Sequence, residues 1–227
     1  MSPATAAAPA ALKLSHILAP VDFSDPCRRS AEAAGELARH FGAAITLLHA
    51  APLMTLALGV PEALAYAPSP EFADLEIEER AALLAALAPA AGPGARRVVV
   101  EKQPSRAILD YASANGCDLI VMPTHGYRAL HRLVVGSVTT EVLRSAACPV
   151  WTGAHYDRPI PGAFQTVVCA SESPEALRWA AGFARSYGAK LEVVHGRPEC
   201  AQDLLVIGRG PHAYAIVREA PGPVVVV

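Results

Sequence analysis

The sequence predicts an α/β fold: an open parallel five-stranded sheet with helices on both faces, followed by a truncated second copy. Three observations predict this. Short continuous apolar runs alternate with segments of helical periodicity, which is typical of a parallel sheet covered on both faces. Alanine, the strongest helix former, accounts for 46 of the 227 residues. Motifs from the first part of the chain also recur in the same order near its end.

The first half, residues 13–152, contains all five predicted strands. They are the apolar runs at 17–21, 45–48, 96–101, 118–122 and 149–151. After the first strand, Asp25 is the expected N-cap of a helix that opens with Pro26 and stops at Gly42. Further helices are predicted at 72–87, from 104 to 115, and from 137 onward.

A proline-rich, almost uncharged stretch separates the second strand from the helix at 72–87. Its prolines are Pro52, Pro61, Pro68 and Pro70. Long connections of this kind are either mobile linkers or functional lids and partner surfaces, and both interpretations stay open.

Composition excludes several functional classes. The 19 basic and 21 acidic residues nearly balance, so nothing predicts a nucleic-acid partner. Five widely spaced cysteines without a CxxC pair argue against a disulfide framework or a zinc site, and they suit a reducing compartment. No apolar run approaches the roughly 20 residues of a membrane span. Residues 1–12 read as a disordered tail rather than a signal peptide, so we expect a soluble, cytoplasmic protein without a membrane partner.

The chain contains an internal repeat. A Gly/Pro-rich linker at 153–162 precedes the second half, residues 163–227. The repeated segments pair as 41–49 with 187–195, 118–122 with 203–207, and 148–150 with 222–224.

Two deletions shorten the second half. His49 lies 69 positions before Asp118, whereas His195 lies 8 positions before Asp203, so the third strand and its two flanking helices are missing. The later interval is also 11 residues shorter than in the first half. This second deletion removes the loop in which the first half carries its most informative motif.

That motif follows the fourth strand. It reads Pro123-Thr124-His125-Gly126, then nine residues including Arg128, His131 and Arg132, then Gly136-Ser137-Val138-Thr139-Thr140 at a helix start. Glycines let backbone N–H groups approach a phosphate, and unpaired helix-start N–H groups with three hydroxyls form an anion site. Asp22, after the first strand, faces this loop where the winding of the sheet reverses, and it can accept hydrogen bonds from a ribose.

Each of these features also has a purely structural interpretation. Gly136-Ser137 is compatible with a tight turn and N-cap, Asp22 with the start of a helix, and His125 with an ordinary exposed loop histidine. Their occurrence together, at the two loops that border the reversal point, favours a nucleotide site.

In combination the residues resemble the universal stress protein (UspA-type) family. The resemblance rests on residues 19–24, 47–49, 118–122, the Gly126-x9-Gly136-Ser137 run and residues 148–150. It covers about residues 13–152 and, weakly, the second half. It implies a Rossmann-like fold similar to adenine nucleotide α-hydrolases, with ATP bound between the ends of strands one, two and four.

Carried over by position, the resemblance implies ten nucleotide-binding residues. Those around the adenine and ribose are Pro20, Val21, Asp22 and the backbone of Ala50. Those along the ribose and phosphates are Met122, Gly126, Gly136, Ser137, Val138 and Thr139. No catalytic or metal-ligating residue is expected, and whether Mg²⁺ accompanies the ATP is left open.

One departure from the family motif concerns its first glycine, which is Pro123 here. Because proline lacks an N–H, we expect ATP binding to be weakened but retained. In the second half Gly208 is present, but the nine-residue loop and Gly-Ser are absent, and Glu172 stands where Asp22 stood. We therefore expect no nucleotide in the second half.

The resemblance implies a nucleotide-responsive stress regulator that is not an enzyme. Two alternatives remain: a scaffold that works through dimerisation without nucleotide, and a slow ATPase. The sequence has no Ser-Gly-Gly loop after strand one, no His-x-Gly-His and no Gly-Lys-Ser/Thr P-loop. Residues 150–151 and 224–227 are expected to pair within the chain and form a pseudo-dimer, with a homodimer of such chains left open.

Overall fold

The computed structural model describes residues 11–51, 70–124, 135–153, 164–196 and 203–227. Within these ranges the chain forms nine strands and six helices. The strands are β1 (His16–Pro20), β2 (Ala44–Ala51), β3 (Arg96–Glu101), β4 (Leu119–Val121), β5 (Val150–Thr152), β6 (Thr166–Cys169), β7 (Lys190–Val193), β8 (Leu204–Ile207) and β9 (Val224–Val226). The helices are α1 (Asp25–Phe41), α2 (Pro70–Ala91), α3 (Pro104–Ala114), α4 (Ser137–Ser145), α5 (Pro174–Tyr187) and α6 (Ala213–Glu219).

All nine strands form one sheet in the order β3-β2-β1-β4-β5-β9-β8-β6-β7. The first five strands are mutually parallel, which confirms the predicted five-stranded unit. The last four are also parallel to one another, and β7-β6-β8-β9 repeats the order β2-β1-β4-β5. Among the described residues, no strand of the second half corresponds to β3.

The two halves meet through one antiparallel strand pair. The register of β5 with β9 joins Val150 to Val226, Trp151 to Val225 and Thr152 to Val224. Trp151 and Val225 occupy the same position in their respective halves, so a local two-fold axis passes through this pair. The pairing expected between residues 150–151 and 224–227 is thus observed. It covers one edge of each half-sheet.

In both half-sheets, an aspartate side chain makes the same contact with the backbone of a neighbouring strand. The Oδ2 atom of Asp118 accepts hydrogen bonds from the N–H groups of Ser15 (2.6 Å) and His16 (2.9 Å). In the second half, Oδ2 of Asp203 accepts from Gln165 (2.6 Å) and Thr166 (3.0 Å). Each aspartate precedes one strand and holds the start of its neighbour, which sets the register of the two strands.

Helices cover both faces of the sheet. Buried side chains from α1, α2 and α5 form one cluster on one face, and side chains from α3, α4 and α6 form a second cluster on the other. Both clusters contain residues of both halves. At the first, Phe183 of α5 lies with its ring centroid 5.8 Å from that of Trp151. His40 at the end of α1 stacks on Tyr187 at 3.7 Å.

Three local predictions need correction. Ser24, not Asp25, is the N-cap of α1, because the Ser24 hydroxyl accepts a hydrogen bond from the N–H of Cys27 (3.4 Å). Asp25 is instead the first helical residue, where a negative charge favours the helix dipole. The helix α2 extends beyond both predicted ends, 72 and 87. Leu12, expected in the tail, is half-buried and donates its N–H to the carbonyl of Gly182 (3.1 Å).

Candidate functional site

The site lies where the winding direction of the first half-sheet reverses. β1 and β4 are neighbours, with β2 beyond β1 and β5 beyond β4. Parallel strands end on the same edge of a sheet, so the loops after β1 and β4 border one crevice. The two segments singled out from the sequence are these two loops.

The loop after β1 is fixed by β2. Val21 donates its N–H to the carbonyl of Leu48 (2.9 Å), and Nδ1 of His49 lies 2.8 Å from the carbonyl oxygen of Val21. Phe23 has a left-handed backbone conformation (φ 65°), which is unfavourable for a non-glycine residue, and its ring lies 4.4 Å from the His49 ring. Surrounding contacts therefore hold this loop in a strained conformation, a feature common at ligand sites.

Asp22 is oriented by this loop. Its Oδ1 accepts hydrogen bonds from the N–H (3.1 Å) and the hydroxyl (2.6 Å) of Ser24. The half-buried carboxylate thus supports the residue that caps α1, as the structural interpretation of Asp22 supposed. The same contacts fix the negative charge at the end of β1, at the border of the crevice.

Two titratable groups beside Asp22 are neutral at physiological pH. Burial lowers the pKa of His49 below its ordinary value. A carbonyl only accepts hydrogen bonds, so Nδ1 carries the ring proton toward Val21. Burial, reinforced by the Asp22 carboxylate, raises the pKa of the Cys27 thiol, which lies 3.4 Å from the N–H of Asp22. Neither group adds charge next to the Asp22 carboxylate.

The start of α4 forms the other border of the crevice. Gly136 is its N-cap and provides no side-chain hydrogen bond. The N–H groups of Ser137, Val138 and Thr139, in the first turn, have no acceptor within the helix. Gly136 itself donates its N–H to the carbonyl of Thr124 (2.7 Å), which ties the helix start to the end of β4.

Thr139 contributes less than the sequence predicted. Its hydroxyl is buried and donates to the carbonyl of Pro123 (3.0 Å), so it holds the loop rather than joining the hydroxyls of a polar anion site. Its backbone N–H remains part of the first helical turn. Pro123, the departure from the family motif, is buried and takes part in the bond that fastens α4 to β4.

The other predicted site residues fall around the same crevice. Pro20, Val21 and Met122 are buried at the ends of β1 and β4, and Ser137 is exposed while Val138 is half-buried. Ala50 lies in β2 beyond the last residue that pairs with β1, so this part of β2 overhangs the end of β1.

The remaining candidates lie outside the described residues: His125, Gly126, Arg128, His131 and Arg132. So do Pro52, Pro61 and Pro68 of the proline-rich stretch.

The corresponding loops of the second half lie against each other. A Cβ atom added to Gly208 would lie 2.8 Å from the hydroxyl oxygen of Ser171, so the loops after β6 and β8 are in contact. Only residues 208–212 connect β8 to α6. Glu172, at the position of Asp22, is exposed and lies 3.2 Å from Nδ1 of His195.

Sequence reasoning missed the roles of Phe23 and His49 in fixing the Asp22 loop. His49 was noted as part of the repeat and of the family resemblance, without a role in the site. Its position directly after a buried strand was the signal available for it. The left-handed conformation of Phe23 had no signal, because residues with this conformation are usually glycine, asparagine or aspartate.

The next observations on metal ligands, cysteines and helix length concern only the described part of the chain. Within the described ranges, no three histidine, cysteine or acidic side chains group together as metal ligands. The four cysteines that the structure describes are free thiols. Among the helices described here, none has the length and apolar character needed to cross a bilayer.

The comparisons with known proteins identify the family. A sequence model described as the universal stress protein family matches residues 13–152, more than half of the chain. The chain belongs to the universal stress protein family. A universal stress protein of Thermus aquaticus is 34% identical over 137 residues, covering 59% of this chain and 94% of the relative. One from Methanocaldococcus jannaschii is 28% identical over 134 residues, covering 59% and 78%.

A solved structure matches both halves of this universal stress protein. The crystal structure of a universal stress protein from Archaeoglobus fulgidus covers 94% of this chain and 96% of its own, with a TM-score of 0.64. The two sequences are 17% identical, so the likeness concerns the fold. The fold of the second half is therefore also one that universal stress proteins adopt.

Proposed function

We propose that the first half binds ATP and that the protein is a nucleotide-responsive stress regulator. The observation that carries the proposal is the start of α4. There a glycine cap leaves the N–H groups of Ser137, Val138 and Thr139 without intrahelical acceptors, at the reversal point of the sheet. The phosphates lie at this helix end, and the ribose lies beside Asp22.

The chemistry of the two borders suits a nucleotide. Backbone N–H groups at a helix start donate to a polyphosphate, and the dipole of α4 favours its negative charge. The Asp22 carboxylate, held by Ser24, accepts from sugar hydroxyls. A Mg²⁺ ion, where present, binds to the phosphates of the nucleotide, as is usual for this ion.

We propose a binding role rather than catalysis. The neutral Cys27 thiol is engaged in a hydrogen bond of the β1 loop, and the Thr139 hydroxyl is engaged by Pro123. Neither of these two groups is available as a nucleophile. The free thiols of the described cysteines suit a reducing cytoplasm, where we place the protein.

The test is a thermal shift with and without Mg-ATP. A ligand present at a hundredfold excess over its Kd stabilises a protein by about 2.7 kcal/mol, so the wild type is expected to melt at a higher temperature with Mg-ATP. Gly136→Val places a branched side chain at the anion site and is expected to abolish the shift. Gly94→Val, on a turn with open space around its Cβ position, is the matched control and keeps the shift. No shift in the wild type contradicts the proposal.

A scaffold without nucleotide is the second candidate. The observation that favours it is the buried Pro123 in place of the first motif glycine, which removes one N–H donor from the crevice. Mass spectrometry after denaturation separates the two candidates: a copurified adenine nucleotide supports the receptor, and its absence together with no thermal shift supports the scaffold. Phosphate release at several turnovers per second would instead indicate an ATPase.

A further inference from the structure

A side chain of the second half caps the C-terminal end of the proposed phosphate-binding helix. The guanidinium group of Arg209, two residues after β8, donates through Nε to the carbonyl of Leu143 (3.2 Å) and through Nη2 to that of Cys148 (2.6 Å). The last four carbonyls of a helix have no partners within it, and a positive charge there stabilises the helix. Arg209 therefore completes the end of α4 from the other half of the molecule.

A second contact reaches the middle of α4. The hydroxyl of Tyr214, in α6, donates to the carbonyl of Thr140 (3.1 Å). Val142 and Leu143 of α4 are buried in the same cluster as Val217 of α6. Along its length, α4 thus packs against the second half, while its first turn is tied to Pro123 and Thr124 of its own half.

The deletion in the second half explains how Arg209 comes to lie there. By strand register, Arg209 occupies the position of Thr124, where the first half enters its long motif loop. With only residues 208–212 before α6, the chain turns at once toward the local two-fold axis. The N–H of Arg209 donates to the carbonyl of Val227 (3.0 Å), which anchors it to the end of β9. β9 in turn pairs with β5 of the first half.

We propose that Arg209 and Tyr214 are positioning residues for the phosphate site at the start of α4. This inference rests on the proposed ATP binding. A nine-residue helix is about 13 Å long and moves as a rigid rod, so a change in its support at the C-terminal end alters the direction of its first N–H groups. In this proposal, the second half supports the helix that binds the ligand of the first.

The experiment compares ATP with adenosine by calorimetric titration of the full-length protein. Adenosine has the base and sugar but no phosphate, so it reports on the Asp22 side alone. Arg209→Met and Tyr214→Phe are expected to weaken ATP binding about 3- to 10-fold, with a change below about twofold for adenosine. Arg209→Lys restores part of the loss because it keeps a charged donor. Arg218→Met, at an exposed arginine of α6 that pairs with Glu219, is the matched control and binds both ligands as the wild type does.

Hydrogen exchange of the α4 amides provides an independent measurement. In the absence of ligand, Arg209→Met and Tyr214→Phe are expected to speed exchange at residues 140–143, and Arg218→Met to leave it unchanged. Unchanged exchange in the first two variants overturns the inference, as does an equal loss of ATP and adenosine affinity. If the wild type binds ATP and both variants bind it with undiminished affinity, the inference is contradicted and the proposed function is not. A wild type that binds neither ligand contradicts the proposed function and the inference with it.

Discussion

The two halves of the molecule share a framework and differ in one edge strand with its flanking helices and in one loop. In both, an aspartate accepts hydrogen bonds from two backbone N–H groups at the start of the first strand, Asp118 in the first half and Asp203 in the second. Both have a helix after their first strand with a serine at the N-cap position and a left-handed glycine at its end, although only the Ser24 hydroxyl makes a capping hydrogen bond. After β4, however, the first half begins a helix at Gly136, an N-cap residue that has no side chain to make a capping bond. After β8, the equivalent strand, the second half continues from Gly208 directly into Arg209.

The difference shows that framework and site depend on separate parts of the sequence. The deleted strand and helices lie at an outer edge, so the second half keeps its register with the rest of the sheet. In the second half, where this loop is short, Gly208 lies against Ser171. Arg209, the next residue, reaches α4. The half with the shorter loop thus contributes a contact between the halves.

The largest expected effect tests whether the halves unfold together. Trp151 is fully buried at the local two-fold axis and contacts the rings of Phe164 and Phe183. Trp151→Ala is expected to lower the free energy of unfolding by about 3–5 kcal/mol, with one cooperative transition in urea. Val193→Ala, at a half-exposed position of β7, is the control with little effect. Two separate transitions in the wild type would show that the halves are independent units.

A matched pair of variants tests the equivalence of the two frameworks. Asp118→Ala and Asp203→Ala each remove the acceptor of two backbone N–H groups. Each is expected to lower the free energy of unfolding by about 2–3 kcal/mol, measured by urea denaturation. A loss at one position without a similar loss at the other breaks the structural equivalence.

A third prediction concerns packing that only the first half has. A Cβ atom on Gly35 of α1 would lie 2.5 Å from the backbone oxygen of Ala91 at the end of α2. Because backbone atoms cannot move aside cheaply, Gly35→Ala is expected to cost about 1–2 kcal/mol of unfolding free energy in urea. The control Gly94→Ala has open space and is expected to be neutral or slightly stabilising. If the two variants are equally stable, the close packing of α1 against the end of α2 is contradicted.

The smallest expected effect is a pH dependence of stability that comes from His49 and not from His195, at the equivalent position. His49 is half-buried beside Val21, and its pKa is lower in the folded chain than the ordinary value of 6.5. The unfolded chain therefore binds the proton first as the pH falls, so the stability that neutral His49 contributes is complete above about 6.5 and lost below it. In thermal melts between pH 7.5 and about 5, the melting temperature of the wild type is expected to fall with the pH. His49→Gln is expected to reduce this fall. His195→Gln, at the exposed equivalent position, is the control and leaves it in place.

Sequence patterns predicted the strands of the first half because each contains consecutive apolar residues, although β3 also carries Arg96, Arg97 and Glu101. The N-cap of α1 was misassigned because Ser24 and Asp25 are adjacent and both cap helices well; only the bond from Cys27 distinguishes them. Leu12 was assigned to the tail because its partner, the carbonyl of Gly182, is 170 positions away. The two candidate loops were singled out by motif and spacing, but the engagement of the Thr139 hydroxyl by Pro123 required the packing of α4 against β4.

The sequence by itself determined the alternation of strands and helices, the repeat and its two deletions. These properties follow from local hydrophobic patterns and from residue spacing, which are written along the chain. The tertiary structure alone decided that Ser171 lies against Gly208, that Phe23 and His49 brace Asp22, and that Arg209 caps α4. Such contacts join residues that are distant in sequence, and their geometry exists only once the sheet has brought the two halves together across β5 and β9.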